Sequence, residues 1–488
     1  MTFWELESLR STLKGAWLAA PTAKRILTGV CTDSRAVEQG QIFIALKGER
    51  MDGHEYLVQA VHSGAGLLVV DDPTKISEEL NEQAKERHVP IMQVGNTGDG
   101  LLALAGAWRR ALTNVPVVAV TGSNGKTTTT RLIESVLTDL GAGTASIKSF
   151  NNRIGVPLTI LRARSTDKFL VCEVGTNAIG EIAELAAVIE PDVTVITSIG
   201  REHLEGLGGI QGSVNEAVEL VKALRPGGTV IVPAGCRELD QAIAKTPLGT
   251  GATAGKVLKF GESSDCDLCI TDIRFDEPGV GFRLGAESYA VPLIGRHNAH
   301  NAAAAVAVGL TLGVDPAVLA RSLANAKGAE MRLERRSITL PQGPPAIDVI
   351  NDAYNANPES MLAAIVTFKD MFGSKSRRKV VVLGDMLELG EHGPDCHREI
   401  GDALASAGVF DLCILIGPLM MFAADRVGKA LGPNRVVPLP KLDETGGAKV
   451  AAMFQPGDAV LLKGSRGMGI ERVLKALEAA TTPVAVKG

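Results

Sequence analysis

The chain has 488 residues, 45% of them hydrophobic and 22% charged, with a formal net charge of −5. That is a globular balance with core material for about three domains. It excludes a highly charged unstructured chain, and nothing in it points to a nucleic-acid partner.

The first residues, Met-Thr-Phe-Trp-Glu-Leu-Glu, lack the basic-then-apolar pattern of a secretory signal. Residues 1–113 read as a small α/β unit. Strands are expected at 41–46 and 66–70, each bounded by turn residues, and a helix over 101–112. Asn114-Val-Pro116 reads as the linker, because proline disfavours helix in the residue before it.

Residues 114–328 form a central unit. Apolar strands at 117–120, 169–172, 193–196 and 229–232 alternate with helical stretches at 127–140, 180–188 and 214–224. This alternation predicts a mostly parallel sheet with helices on its faces. Residues 267–294 break the rhythm and read as a small antiparallel subsheet, with turns at Glu277-Pro-Gly279 and Gly285. A helix over 298–312 closes the unit; its apolar stretch Asn301–Leu312 is too short to span a bilayer. Residues 329–488 form a third, Rossmann-like α/β unit with strands at 346–350, 380–383, 412–416 and 459–462. The basic cluster Lys375–Lys379 precedes one of these strands and reads as a solvated turn.

The seven cysteines (31, 172, 236, 266, 269, 396 and 413) are scattered and odd in number, which fits free thiols in a cytoplasmic protein. Cys266-x-x-Cys269 has no second pair. His392, Cys396 and His397 sit where a loop enters a helix. Neither group predicts a zinc site.

The segment with the most chemistry is Val117-Val-Ala-Val-Thr-Gly-Ser-Asn-Gly-Lys-Thr-Thr. A strand runs into a small polar loop, and Lys126-Thr127 open a helix. Loop amides and a helix N-terminus suit phosphate, Lys126 adds a point charge, and the Thr127 hydroxyl suits a Mg²⁺ shell. The general phosphate-loop pattern would have glycine where Val120 stands. Gly122, Asn124, Gly125, Lys126, Thr127 and Thr128 are the expected ATP contacts.

Glu173 follows the strand ending at Cys172, a natural place for a Mg²⁺ ligand and equally for a surface or capping charge. His203, in Gly200-Arg-Glu-His-Leu-Glu-Gly206, also follows a strand and fits a metal, a phosphate or a structural role. Asn351-Asp-Ala-Tyr-Asn-Ala-Asn-Pro358 fits a nucleotide or peptide contact or an ordinary turn. Arg332, Lys463 and Arg466 are candidate counter-charges for phosphate or carboxylate.

Together these segments resemble the Mur ligase family, ATP-dependent amide-forming enzymes of peptidoglycan precursor synthesis. The resemblance covers nearly the whole chain. Thr121-Gly-Ser-Asn-Gly-Lys-Thr-Thr-Thr129 is similar to the family's own phosphate loop, which accounts for Val120. Gly295-Arg-His-Asn-Ala-His-Asn301 resembles its adenine-side segment, with Asn298 as base contact. Asp33-Ser-Arg35 and Lys47-Gly-Glu-Arg-Met-Asp-Gly53 resemble its UDP-sugar segments, implying Ser34, Arg35 and Lys47. Phe150–Thr159, Asp352–Pro358 and Gly384–Gly390 resemble the members that join D-Ala-D-Ala to UDP-N-acetylmuramoyl-tripeptide.

The resemblance implies an acyl-phosphate mechanism with ATP and Mg²⁺. Lys126, Glu173 and His203 would be catalytic, with Thr127, Glu173 and His203 on metal and Arg332 and Asp352 on nucleotide. Asn151, Asn152, Tyr354, Asn355, Asn357, Lys463 and Arg466 would line the substrate. It implies small-molecule substrates, no nucleic acid, no membrane insertion, a monomer and a cytoplasmic location. Relatives with another amino acceptor, folylpolyglutamate-synthetase-like ones included, stay open, as does a nucleotide-binding regulator without catalysis.

One position departs from the family. Its members carry a carbamylated, metal-binding lysine where an ungapped count from His203 reaches Ala217. Lys222 is about one and a half helical turns further on and faces elsewhere. The expectation is that Glu216, Glu219 or ordered water takes that place; the alternative is a local shift in the alignment.

Overall fold

A computed structural model describes residues 3–248, 254–276, 279–341 and 343–481. Its apolar runs close into three sheets, one per expected unit. The first has five strands in the order Ala16–Ala19, Ile91–Gln93, Leu67–Val70, Ile42–Ile44, Val30–Cys31, parallel except at the Ala16–Ala19 edge.

The central sheet has nine strands. Val117–Thr121 lies between Leu170–Glu173 and Val193–Ile196, parallel to both. All five residues of Val117–Thr121 are buried, as a parallel strand covered on both faces requires. The chain leaves this strand toward one neighbour and later returns on its other side. Such reversal points open a crevice at the carboxyl ends of parallel strands. At the far edge, Leu268–Asp276, Gly279–Leu284 and Glu287–Val291 form the antiparallel subsheet, with a turn at Gly285. Of the turn expected at Glu277-Pro-Gly279, Glu277 and Pro278 lie outside the described residues.

The third sheet has six strands in the order Glu334–Ile338, Ile347–Asp352, Ala459–Lys463, Lys379–Gly384, Leu412–Ile416, Val436–Leu439, antiparallel only at its first pair. Alternate residues feed two cores. Ile350, Val381 and Leu383 point to one, and Val349, Val380 and Val382 to the other. The three-unit α/β architecture with a mostly parallel central sheet is the one the sequence predicts. No described helix is long and apolar enough to cross a membrane.

The first and central units share a core. Leu101, Leu104 and Ala105, on the helix Thr97–Ala111, pack with Val156, Ile160, Leu185 and Ile189. Arg109 pins this junction. It is 1% exposed and donates to the Ile189 and Glu190 carbonyls at 2.7 and 2.8 Å and to Asp192 at 3.0 Å. Arg109→Met would strand the two carbonyls, while Asp192 keeps Val117 N at 2.9 Å and Arg225 at 3.6 Å. Asp192 keeps some solvent contact, so the expected loss is about 3 kcal/mol, read as a lowered urea midpoint.

Candidate active site

The loop after Val117–Thr121 can only be built with glycine at two points. Gly122 has φ +125°, and a Cβ there would stand 2.5 Å from Thr197 Oγ1. Gly125 has φ +85° and its Cβ would collide with Asn301 Oδ1. The loop is braced by the end of the neighbouring strand. Ser123 N donates to Ser198 O at 2.9 Å and Asn124 N to Ser198 Oγ at 2.8 Å. Of the loop amides expected to face phosphate, those two are therefore occupied. The first turn of the helix Lys126–Leu137 remains, with N–H groups that have no partner within the helix.

Around that turn the side chains converge. Lys126 Nζ donates to Gly122 O at 2.6 Å and to Glu202 Oε2 at 3.1 Å. Thr127 is buried, within 3.4 Å of Ser149 Oγ, and its hydroxyl accepts from Arg332 at 3.1 Å. Glu173 is 1% exposed; its Oε1 accepts from Asn151 at 2.8 Å while its buried Oε2 has no partner. Burial pushes its carboxyl above the usual range, against the pull of the Arg332 and Lys126 charges.

A buried carboxylate oxygen without a partner, beside a threonine hydroxyl, suits a hard cation. Among the described residues no group of three His, Cys, Asp or Glu could hold a metal unaided. Mg²⁺ is a cation that keeps waters and phosphate oxygens and takes only one or two carboxylates. His203 has φ +44°, a strained conformation for a non-glycine residue, at the start of the short helix Leu204–Leu207. Its Nδ1 abuts the Glu388 carboxylate without hydrogen-bond geometry.

The third sheet supplies the opposite wall. Register places Asp352 beside Lys463 at adjacent strand ends. Lys463 is 2% exposed and donates to Asp352 Oδ2 at 2.6 Å and to Asn355 O at 3.0 Å. Tyr354 lies under Arg332 at 4.4 Å and Arg466 at 5.8 Å. Asn357 caps the helix Pro358–Phe372 and also donates to Asn124 Oδ1 at 3.0 Å, tying that wall to the phosphate loop. Arg201 makes a second tie, to Glu359 at 2.7 Å and Glu399 at 2.8 Å.

These groups border one cleft of about 1300 Å³, reached by all three units. Asn124, Gly125, Lys126, Thr128, Glu173, His203, Asn298, Arg332, Asp352, Tyr354, Asn355, Asn357, Lys463 and Arg466 line it. Toward the first unit it is lined by Lys47, Asn151 and Asn152. Asn298 Oδ1 accepts from Asn301 at 2.9 Å. Burial holds the neighbouring His297 neutral, with its pKa drawn down to about 4.

Gly122 and Thr127 lie behind the lining. Ser34 and Arg35 stand apart from it: the buried Ser34 hydroxyl donates to Gln59, and Arg35, with its side chain 77% exposed, is paired with Asp33. Sequence reasoning passed over Ser149, Ser198 and Glu202. Glu202 adjoins His203 in a segment already singled out, but its partner is far away in sequence.

Of the substitutes expected for a lysine at Ala217, the two carboxylates are corrected. Ala217 is buried in an apolar cluster with Val214, Val218 and Ile196. Glu216 accepts from Gly180 N at 2.7 Å and Ile182 N at 3.1 Å, and so caps the helix Glu181–Ile189. Glu219 is paired with Lys222. Neither carboxylate lines the cleft.

A braced phosphate loop at the carboxyl end of a parallel sheet, facing two further sheets across one cleft, defines a multidomain nucleotide-binding α/β enzyme. Residues 26–109, 120–309 and 331–466 match, in turn, the family models described as Mur ligase family, catalytic domain; Mur ligase middle domain; and Mur ligase, glutamate ligase domain. The UDP-N-acetylmuramoyl-tripeptide–D-alanyl-D-alanine ligase of Bacillus subtilis is 34% identical, over 97% of this chain and 98% of that one. Its Escherichia coli counterpart is 32% identical over 93% and 94%. A crystal structure of MurF from Acinetobacter baumannii superposes with a TM-score of 0.82 at 30% identity, covering 97% of this chain and 99% of that one. MurF ligase from Thermotoga maritima in complex with ADP gives 0.74 at 25% identity, over 93% and 97%. The chain belongs to the Mur ligase family.

Proposed function

We propose that this enzyme joins D-alanyl-D-alanine to the terminal carboxylate of UDP-N-acetylmuramoyl-tripeptide, consuming ATP. The observation that carries this reading is the single cleft on which a phosphate loop, the Glu173 carboxylate and polar residues of all three units converge. Likeness over nearly the full length to relatives of that activity supports the choice of acceptor.

In the first step a peptide carboxylate oxygen attacks the γ-phosphorus of ATP, and ADP leaves. Lys126 and the N–H groups of the first helical turn offset charge on the transferring group. In the second step the dipeptide amine attacks the acyl-phosphate carbonyl. The resulting tetrahedral centre loses phosphate, and the attacking nitrogen loses a proton. Asn151 and Asn152 orient the peptide, while Asn298, Arg332 and the Asp352–Lys463 pair hold the nucleotide. Thr127, Glu173 and His203 would hold Mg²⁺, which neutralises phosphate charge when bound. Units closed about the cleft keep water from the acyl phosphate.

Seven free cysteines accord with a cytoplasmic site of action. The test is ADP release with UDP-N-acetylmuramoyl-tripeptide and a panel of acceptors. D-Ala-D-Ala is expected to stimulate it and single amino acids are not. Preference for a single amino acid would overturn the choice of acceptor.

A further inference from the structure

Glu202 has no part in the mechanism above, yet it is the anion in contact with the phosphate-loop lysine. It is 8% exposed, follows the strand Val193–Ile196 and lines the cleft. Its carboxylate is 3.1 Å from Lys126 Nζ, which also reaches Gly122 O at 2.6 Å and Ser123 O at 3.5 Å. An ammonium has three N–H bonds, and three acceptors surround this one. The two carbonyls belong to the loop itself and are part of its shape. A nucleotide phosphate seeking Lys126 therefore contends with Glu202.

We propose that Glu202 is a built-in competitor of nucleotide phosphate, making nucleotide binding depend on a divalent cation. The pair is largely shielded from water, so a carboxylate parted from Lys126 cannot simply be resolvated. It remains close to the arriving phosphates, and Glu173 is a second buried carboxylate within the field of the same lysine. Phosphates brought in alone add negative charge beside two carboxylates, Glu202 on Lys126 and Glu173 within the field of Arg332 and Lys126. Phosphates brought in with a divalent cation bring the missing positive charge. Glu202 thus penalises the metal-free nucleotide far more than its metal complex, a positive coupling between the two ligands.

The inference rests on the nucleotide-binding reading, and one titration separates the two. ADP binding to the full-length protein is measured by calorimetry with Mg²⁺ and with chelator, for the wild type, Glu202→Gln and Glu202→Ala. The glutamine is isosteric and removes the charge; the alanine also removes any bond to Lys126. Both variants are expected to bind Mg²⁺-free ADP about tenfold more tightly than the wild type, and to lose a like factor of the gain that Mg²⁺ confers. Wild-type affinity for Mg²⁺-free ADP in either variant overturns the proposal. Failure of the wild type to bind ADP under both conditions would instead overturn the nucleotide-binding reading.

Discussion

Lys126→Met is expected to lower kcat about 10³-fold, because a preorganised charge on a transferring phosphoryl group is worth several kcal/mol in a water-poor cleft. The residue opens its helix, and its ammonium is fixed by Gly122 O before any ligand arrives. Methionine keeps most of the stem packing, so the loss isolates the charge. The same change leaves Glu202 shielded with no cation, and a stability cost of about 3 kcal/mol is expected alongside. Lys126→Met/Glu202→Gln separates the two effects. Stability returns, because no unpaired charge is left, while the rate stays low. Single-turnover ADP formation and thermal melting read them independently. Recovery of rate in the double variant would show that Lys126 serves only to neutralise Glu202.

The parts of this fold legible in the sequence are those whose burial is two-sided. Val117–Val120 and Val380–Leu383 are unbroken apolar runs, Val193–Ile196 is interrupted only by the buried Thr194, and only a strand covered on both faces has use for such a run. Val30–Cys31 and Thr144–Ala145 are two-residue strands at sheet edges. Each rests on one neighbour and leaves no periodic trace. Helix Ile210–Lys222 starts four residues before the expected Val214, because Gly212 lies on its first turn and looks like loop. The helix Gly155–Arg162 carries Pro157 in its first turn, a tolerated place that breaks the apparent pattern.

The site divides the same way. The phosphate loop was readable because strand, turn and helix are contiguous. The bracing of Ser123 and Asn124 by Ser198, and the pairing of Lys126 with Glu202, join residues more than seventy positions apart. No local pattern encodes them. Glu216 shows the converse error. Counting along its helix put a carboxylate in the right neighbourhood, but its bearing is set by the start of another helix, at Gly180 and Ile182. Distance along one element says little about which of two nearby cavities a side chain enters.

Lys463→Met is expected to cost about 3–5 kcal/mol, the usual consequence of leaving one member of a buried pair charged and alone. Asp352 Oδ2 would lose its cation, and Asn355 O would lose its donor. The effect reaches beyond the pair because Asp352 Oδ1 also accepts from Leu333 N at 3.1 Å. Met331 and Leu333 have φ of +55° and +50° in the segment that enters the third unit. A carboxylate anchored by Lys463 helps to hold that strained entry in place, and Arg332 between them is held over Tyr354. Loss of the anchor should therefore weaken ADP binding as well as stability. A double-mutant cycle with Asp352→Leu tests this directly. Removing both charges relieves the unpaired carboxylate, so the double variant should be more stable than Lys463→Met alone, with a coupling of about 2 kcal/mol or more. Its ADP affinity should remain weak, since the entry segment has still lost its acceptor. Additive stabilities would mean that the two residues act separately and that the strained entry is held by other contacts.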